Sequence, residues 1–167
     1  MEGLRVRLGT PNDEEPMLKL ALQAWEENGI RGVNAEKMRA MIRPALYLWQ
    51  GLVGVIGEPG KDIEAAILLR LSQMWYSDDW MVEEKAIFVA PEFRRTRGKY
   101  VKGHARTLCD FSKKVADDLS LPLIIGVLSN HRTEAKIKFY ENSFGPPAGA
   151  FFLYNVRTGH EEDMTEH

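Results

Sequence analysis

The segment VAPEFRRTRGKYVKGHARTL, residues 89–108, joins an apolar run typical of a strand to an apolar-periodic run typical of a helix. Six basic side chains lie at this junction: Arg94, Arg95, Arg97, Lys99, Lys102 and Arg106. The whole chain, however, carries a formal net charge of −2. The positive charge is therefore local to one loop and predicts an anionic ligand there, without the extended basic surface that attracts nucleic acid or membranes over a distance.

A strand that leads through a loop into a helix leaves several backbone N–H groups unpaired at the start of the helix. Such groups can bind a phosphate when the loop is cationic and contains small residues. Gly103 and Ala105 are small enough to let an anion approach the backbone. The pattern GHA matches neither a Walker motif nor the three-glycine dinucleotide fingerprint, so a solvated basic loop without a ligand is an open alternative at this point.

The composition predicts one globular domain, because 167 residues with 44% hydrophobic and 28% charged residues can bury a sizeable core. We expect this domain to span residues 1–157 and the polar, acidic residues 158–167 to form a mobile tail. No apolar run approaches the roughly 20 residues of a membrane span, and the N-terminal residues lack the apolar core of a signal peptide. A cytoplasmic protein without a membrane partner is the resulting expectation.

The single cysteine and the four histidines give no indication of a disulfide or a metal site. Cys109 lies in an apolar helical pattern and is expected to fill the core, since no base that would activate it lies nearby in the sequence. The histidines show no metal-ligand spacing with Cys109 or with one another, so no metal is expected.

Hydrophobic periodicity predicts the order strand, two helices, three strands, helix, strand, helix, strand. Thr10 and Asn34 are candidate caps of the first two helices. The turn EPGKD, residues 58–62, predicts a hairpin. LPLIIGVLS, residues 121–129, is continuously apolar, as a strand covered on both faces would be, and AGAFFLYNV, residues 148–156, predicts a last strand.

A helix predicted over residues 103–119 separates the strand EEKAIFVAP, residues 83–91, from LPLIIGVLS, residues 121–129. A strand–helix–strand crossover links parallel neighbours. These two strands are therefore predicted to be parallel.

Together these segments resemble the GNAT acetyltransferase superfamily. The resemblance rests on VAPEFRR at residues 89–95, on YVKGHA at residues 100–105 and on NHRTEAKIKFYENSFG at residues 130–145. The element order agrees from about Leu4 to Val156. The resemblance implies an α/β fold with a mixed, mostly antiparallel sheet, helices on both faces and a parallel, splayed central strand pair.

The resemblance also implies where acetyl-CoA binds. In this family an Arg/Gln-x-x-Gly-x-Gly/Ala pattern wraps the pyrophosphate, and Gly103 and Ala105 match its two small positions. Tyr100 replaces the Arg or Gln, and the loop is longer than usual, so its surplus cations are expected to supply phosphate ligands. Asn130 falls where the family contacts the pantetheine arm, although a loop-capping role is an equal alternative. The expected cofactor-binding residues are Phe88, Val89, Arg94, Arg95, Arg97, Lys99, Lys102, Gly103, His104, Ala105 and Asn130.

For catalysis, the resemblance implies that Tyr140 protonates the departing coenzyme A thiolate, with a core aromatic role as the alternative. An alkylamine is mostly protonated near neutral pH, so a base must accept its proton. The resemblance suggests Glu84 or Glu83 as this base, of which Glu84 is favoured, and surface solvation is the alternative. Asp78 and Asp79 lie near the same strands. A backbone N–H around Val89 is expected to stabilise the oxyanion.

The expected function is N-acetylation of a primary amine by direct transfer from acetyl-CoA. The acceptor is left open between a small molecule, a protein amine and a modified nucleobase. Its pocket is expected between the first two helices and their loop ENGIRGVN, residues 27–34, with Trp75, Tyr76 and Trp80 as candidate wall residues. The alternative is a catalytically inactive GNAT-like module that contacts nucleic acid or a protein partner through loop 94–106. The sequence is also compatible with a homodimer.

Overall fold

A computed structural model of the chain describes residues 3–94 and 98–156. The predictions for Arg95, Arg97 and the tail 158–167 lie outside these residues. The strands are β1 Arg7–Leu8, β2 Gly51–Ile56, β3 Ala65–Gln73, β4 Trp80–Val89 and β5 Leu123–Ile124. The helices are α1 Glu14–Asn28, α2 Ala35–Leu46, α3 His104–Leu119 and α4 Thr133–Phe144. The predicted α/β class is confirmed.

The strands form a single sheet of order β1-β2-β3-β4-β5. The three pairings from β1 to β4 are antiparallel, whereas β4 and β5 are parallel, with Val82 opposite Leu123 and Glu83 opposite Ile124. The predicted parallel pair is therefore confirmed, and the crossover between its strands is α3.

A β-bulge in β4 decides which way its side chains point. Leu68 of β3 is opposite Ala86 while Leu69 is opposite Glu84, so Lys85 is an extra residue in β4. Ala86 therefore faces α1 and α2 together with Leu68, whereas Glu84 shares the opposite face with Leu69. Without the extra residue, alternation along β4 would put Glu84 on the same face as Ala86.

Helices cover both faces of the sheet, as predicted. One apolar cluster joins the sheet to α1 and α2, and a second joins it to α3. Gly54 of β2 lets α3 approach closely, because a Cβ there would lie 2.5 Å from the Phe111 ring. Asn34 caps α2 as predicted, since its Oδ1 accepts the backbone N–H of Lys37 at 2.9 Å. No described helix is long and apolar enough to cross a membrane.

Two strand predictions were wrong in extent. Of residues 121–129 only Leu123 and Ile124 form a strand, and Ile124 is 42% exposed, so this strand is not covered on both faces. Residues 148–156 form no strand, and Phe152 is 92% exposed. Continuous apolar character indicated burial, but a strand also needs a hydrogen-bonding partner, and none of the described residues provides one here. The parallel pair consequently lies at an edge of the sheet and not at its centre.

Candidate active site

The parallel strands β4 and β5 separate after two registered pairs, Val82 with Leu123 and Glu83 with Ile124. Residues 125–130 then continue without strand pairing. A gap therefore opens between the second half of β4 and the chain that leads from β5 to α4. This gap, together with the N-terminus of α3, is the candidate active site.

The second half of β4 points backbone N–H groups into this gap. Ala90 donates its N–H to the carbonyl of Glu64 at 2.9 Å, so this N–H points toward β3. In an antiparallel pair the N–H groups of successive residues point alternately to the two sides of the strand. By that alternation the N–H groups of Ile87 and Val89 point away from β3, to the side where β5 has diverged. A negatively charged oxygen in the gap could accept hydrogen bonds from them.

Glu84 lies where the gap begins. Its carboxylate accepts a hydrogen bond from the backbone N–H of Gly126, on the opposite side of the opening. Burial raises the pKa of Glu84 to about 7, the Gly126 N–H opposes this rise, and the neighbouring Glu83 adds to it. A carboxyl group with this pKa can exchange a proton near neutral pH. In contrast, the pKa of Glu83 is lowered despite its burial, because Lys85, Ser72 and Arg70 stabilise the charged form.

Tyr140 of α4 lies in the same electrostatic environment. Burial raises the pKa of its hydroxyl, and the nearby ionisable groups Glu84 and Cys109 raise it further. The ring packs against Phe139 and Phe144, with centroids 5.3 and 6.1 Å away. Among the described residues none is hydrogen-bonded to the Tyr140 hydroxyl. The hydroxyl is therefore a protonated donor that the rest of the described chain does not use.

Cys109 of α3 is fully buried, and burial raises the pKa of its thiol to about 12. The thiol is consequently neutral at physiological pH and is a poor nucleophile. The prediction that Cys109 fills the core is confirmed.

A hydrogen-bonded cluster that no sequence pattern indicated joins α4 to α1. Lys136 lies one helical turn before Tyr140, and its Nζ donates to Asn28 Oδ1 at 2.6 Å and to Ser129 Oγ at 3.1 Å. The backbone N–H of Asn130 donates to the carbonyl of Asn28 at 2.8 Å. Burial lowers the pKa of Lys136. The cluster fixes the C-terminal end of α1 against the start of α4.

The N-terminus of α3 has the features expected of an anion site. Gly103 is the N-cap, and among the described residues no side chain caps the helix. Its φ of −68° is ordinary, and a Cβ added to it would have no atom within 4 Å. The unpaired N–H groups of the first turn are thus accessible next to Gly103 and Ala105.

The basic residues around this helix end are partly neutralised by other groups. Arg94 pairs with Glu27 at 2.9 Å, and its Nε donates to the carbonyl of Val89 at 3.0 Å. Lys102 pairs with Asp110 at 2.5 Å. Lys99 lies 5.4 Å from the centroid of the Tyr100 ring. The structure thus gives Arg94 a bracing contact at the end of β4 in addition to any contact with a ligand.

Two predicted cofactor residues direct their side chains away from the helix end. His104 is only 2% exposed, and its Nε2 lies 2.8 Å from Glu64 Oε2. A ligand could therefore reach His104 through its backbone but not through its ring. Phe88 is buried on the α1–α2 side of the sheet and packs edge-on against Trp25 at 6.2 Å. The pairing of His104 with Glu64, 40 residues away in sequence, leaves no local pattern by which it could be predicted.

A second concavity lies where the acceptor pocket was expected. Its volume is about 330 Å³, and it is formed by α1, α2, the loop between them and the neighbouring parts of β3 and β4. The aromatic residues expected in its wall are absent from the lining, since Trp75, Tyr76 and Trp80 are 95%, 70% and 45% exposed. The wall is instead formed by Ala21, Trp25, Gly29, Arg31, Gly32, Val33, Asn34, Lys37, Met38, Met41, Ile42, Leu68, Lys85, Ala86 and Phe88.

Known structures identify this architecture, although no protein-family model and no curated sequence matches the chain. An aminoglycoside 6'-N-acetyltransferase from Acinetobacter baumannii superposes with a TM-score of 0.66 at 12% identity, over 94% of this chain and 100% of the other. AAC(6')-Iy, in complex with the bisubstrate analogue CoA-S-monomethyl-acetylneamine, gives a TM-score of 0.64 at 15% identity, over 93% and 99%. The ribosomal-protein-alanine N-acetyltransferase of Brucella melitensis gives a TM-score of 0.62 at 15% identity, over 94% of this chain and 100% of the other.

The fold is that of an acetyltransferase. More narrowly, the antiparallel strands, the splayed parallel pair and the helices on both faces form the GNAT fold, as the sequence resemblance implied. At 12–16% identity these similarities establish the fold, and chemistry has to be argued from the site itself.

The raised pKa of Glu84 predicts that Glu84→Gln stabilises the protein selectively at neutral and higher pH. The unfolded state ionises near the ordinary value of 4.5, whereas the folded state holds its proton up to about pH 7. Ionisation of Glu84 therefore costs folding free energy as the pH rises through this window, and glutamine removes that cost. Chemical denaturation measures the free energy of unfolding. Between about pH 4.5 and pH 8 we expect this free energy to rise by about 2–3 kcal/mol in the variant relative to the native protein.

Glu83→Gln is the matched control. The pKa of Glu83 is lowered, so removal of its charge should give no such gain at high pH. A stability difference for Glu84→Gln that is the same at both pH values would show that Glu84 ionises normally.

Proposed function

We propose that the protein transfers the acetyl group of acetyl-CoA directly to a primary amine. The proposal is carried by Glu84, which lies where the gap between β4 and β5 begins and is close enough to Tyr140 to raise the pKa of its hydroxyl. Glu84 is a carboxyl group with a pKa of about 7, Tyr140 has a hydroxyl without a hydrogen-bonding partner among the described residues, and the strand N–H groups of Ile87 and Val89 face the opening. These are a proton acceptor, a proton donor and an oxyanion site.

The residues around the gap suit acetyl-CoA. The uncapped N-terminus of α3 offers N–H groups for the pyrophosphate at Gly103 and Ala105, with Lys99 and Lys102 in the preceding loop. Arg95 and Arg97 are proposed to add positive charge there. Asn130 lies in the chain that borders the gap, in keeping with a contact to the pantetheine arm. The CoA-linked analogue bound to AAC(6')-Iy supports this ligand on this fold.

In the proposed reaction, the chain's own groups move protons and stabilise charge. Bound acetyl-CoA supplies an activated acetyl thioester whose sulfur leaves as a thiolate. Glu84 accepts the proton that the acceptor amine must lose, directly or through water. The N–H groups of Ile87 and Val89 stabilise negative charge on the carbonyl oxygen. The Tyr140 hydroxyl donates the proton that the thiolate takes up. No nucleophilic side chain is used, in keeping with the neutral, buried thiol of Cys109.

Binding of acetyl-CoA is tested by Gly103→Val. A Cβ at this position meets no atom within 4 Å, so the fold should tolerate valine, while the branched side chain blocks the backbone from the pyrophosphate. We expect calorimetric affinity for acetyl-CoA to fall at least about 100-fold, because several charge-assisted hydrogen bonds are lost. Gly149→Val, at a position that is equally free of neighbours, is the control. Unchanged affinity in Gly103→Val would mean that the cofactor binds elsewhere.

A general-base role for Glu84 predicts that kcat/KM rises as the pH increases through about 7 and levels off above it. The carboxylate is the active form, so protonation at lower pH removes activity. Glu84→Gln should lower kcat by about 10²–10⁴-fold and abolish this limb of the profile. Glu83→Gln should keep it. An unchanged limb in Glu84→Gln would assign the base to another group.

Tyr140→Phe tests the proposed acid. Phenylalanine keeps the packing against Phe139 and Phe144 and removes only the hydroxyl, so stability and acetyl-CoA affinity should change little. We expect kcat to fall by about 10²–10⁴-fold. Because the acceptor is unidentified, a panel of amines must first reveal turnover, with slow hydrolysis of acetyl-CoA as a second assay. Full turnover of the phenylalanine variant would leave water as the proton donor.

The alternative, an inactive module that binds nucleic acid or a protein through loop 94–106, is not favoured. The described basic residues of this region belong to one loop and do not form the extended basic face that a nucleic-acid backbone requires. Parallel titrations with acetyl-CoA and with a DNA duplex distinguish the two functions. Tight binding of the duplex without binding of acetyl-CoA would favour the alternative.

A further inference from the structure

The pocket between α1, α2 and the sheet has an unusual charge balance for a site that accepts amines. Most of its wall is apolar, with Trp25, Met38 and Phe88 among the larger side chains. Its ionisable side chains are all basic, namely Arg31, Lys37 and Lys85, and no aspartate or glutamate of the described residues lines it. A polycationic acceptor would therefore meet like charge here.

Two of these three cations have no salt bridge to any described residue. Lys85 pairs with Glu83 at 2.7 Å. Within the part of the chain that the structure describes, neither Arg31 nor Lys37 has a carboxylate within salt-bridge distance. Both are exposed, and they belong to the loop after α1 and to the first turns of α2. Positive charge without a counter-ion at the edge of an apolar pocket is suited to an anionic group of a ligand.

We infer that the acceptor is a primary amine with an apolar body and an anionic group, a carboxylate or a phosphonate, of about the size of an amino acid. This inference rests on the proposed function and names the substrate class of the same site. The apolar body would occupy the wall around Trp25, Met38 and Phe88. The anionic group would pair with Arg31 and Lys37, and the amine would extend along Lys85 and Ala86 of β4 toward the gap, on whose far side Glu84 lies. Such an acceptor differs from the aminoglycoside part of the analogue bound to AAC(6')-Iy.

A panel built on one carbon skeleton tests the charge preference. Phenylalanine, its aminophosphonic analogue, phenylalaninamide and phenethylamine share the amine and the ring and differ in the third group, and neamine represents polycations. Release of free coenzyme A gives kcat/KM for each. We expect kcat/KM for at least one of the two anionic members to exceed that for phenylalaninamide by about 10-fold or more. The ratio between these two members separates carboxylate from phosphonate. The inference would be overturned if kcat/KM for phenylalaninamide equalled that for the anionic members, or if neamine were the preferred acceptor.

Variants assign the preference to the two cations. Arg31→Gln and Lys37→Gln should each raise KM for the preferred anionic acceptor by about 10-fold and leave KM for phenylalaninamide and affinity for acetyl-CoA unchanged. Lys19→Gln is the matched control, because Lys19 lies on α1 outside the pocket and pairs with Asp62. An equal rise for the anionic and the neutral acceptor would show a structural role and contradict the inference.

Direct binding keeps this inference separable from the proposed function. Calorimetry with 3-phenylpropionate and 3-phenylpropanamide compares an anion and a neutral analogue without turnover, and the inference requires tighter binding of the anion, which Arg31→Gln should abolish. Equal binding would overturn it. A protein that neither binds acetyl-CoA nor releases coenzyme A would refute the proposed function, whereas acetylation of neutral or polycationic amines alone would refute only the acceptor class.

Discussion

The separation of β4 from β5 is the constraint on which the rest of the site depends. Two parallel strands that pair at only two positions leave the backbone groups beyond them without sheet partners. Unpaired backbone groups are costly when buried, so such a gap persists only where other contacts hold it open or where a ligand satisfies it. Glu84 makes one of these contacts, because its carboxylate accepts the N–H of Gly126 across the opening. The same position desolvates the carboxylate and raises its pKa. Burial at the start of the gap therefore creates the proposed base, although the Gly126 N–H opposes the rise of its pKa.

Bracing of the two flanking helices maintains the gap. α4 has no fully buried residue, so packing alone gives it a weak anchor. Lys113 of α3 supplies another, since its Nζ donates to the carbonyl of Ser143 and lies 4.8 Å from the centroid of the Phe144 ring. Lys136 ties the other end of α4 to Asn28. These two contacts lie on either side of Tyr140 along the helix and thereby hold this part of α4 in place.

The parts of the fold that could be predicted are those with a local pattern. The helix between the two strands, α3, predicted that they are parallel. Gly103 and Ala105 marked the N-terminus of this helix. Glu84 and Tyr140 were suggested by resemblance, and the bulge at Lys85 that turns Glu84 toward the gap has no clear mark in the sequence. Contacts between distant residues were missed, such as Lys136 with Asn28, 108 positions apart. The extent of β5 was overpredicted because apolar residues indicate burial but do not identify a strand's hydrogen-bonding partner.

The basic side chains near the N-terminus of α3 form salt bridges, whereas two of those at the α1–α2 pocket form none with described residues. This difference limits what the fold alone indicates about substrates. Before the N-terminus of α3, Arg94 and Lys102 form salt bridges with carboxylates of the chain. At the acceptor pocket, Arg31 and Lys37 have no such partner among the described residues. The overall fold is what the chain shares with acetyltransferases at 12–16% identity. The α1–α2 loop, by contrast, is a surface connection whose length and charge can change without disturbing the core. We therefore expect acceptor choice, in the proposed function, to depend on that loop, and the identity of the amine has to be tested on this chain itself.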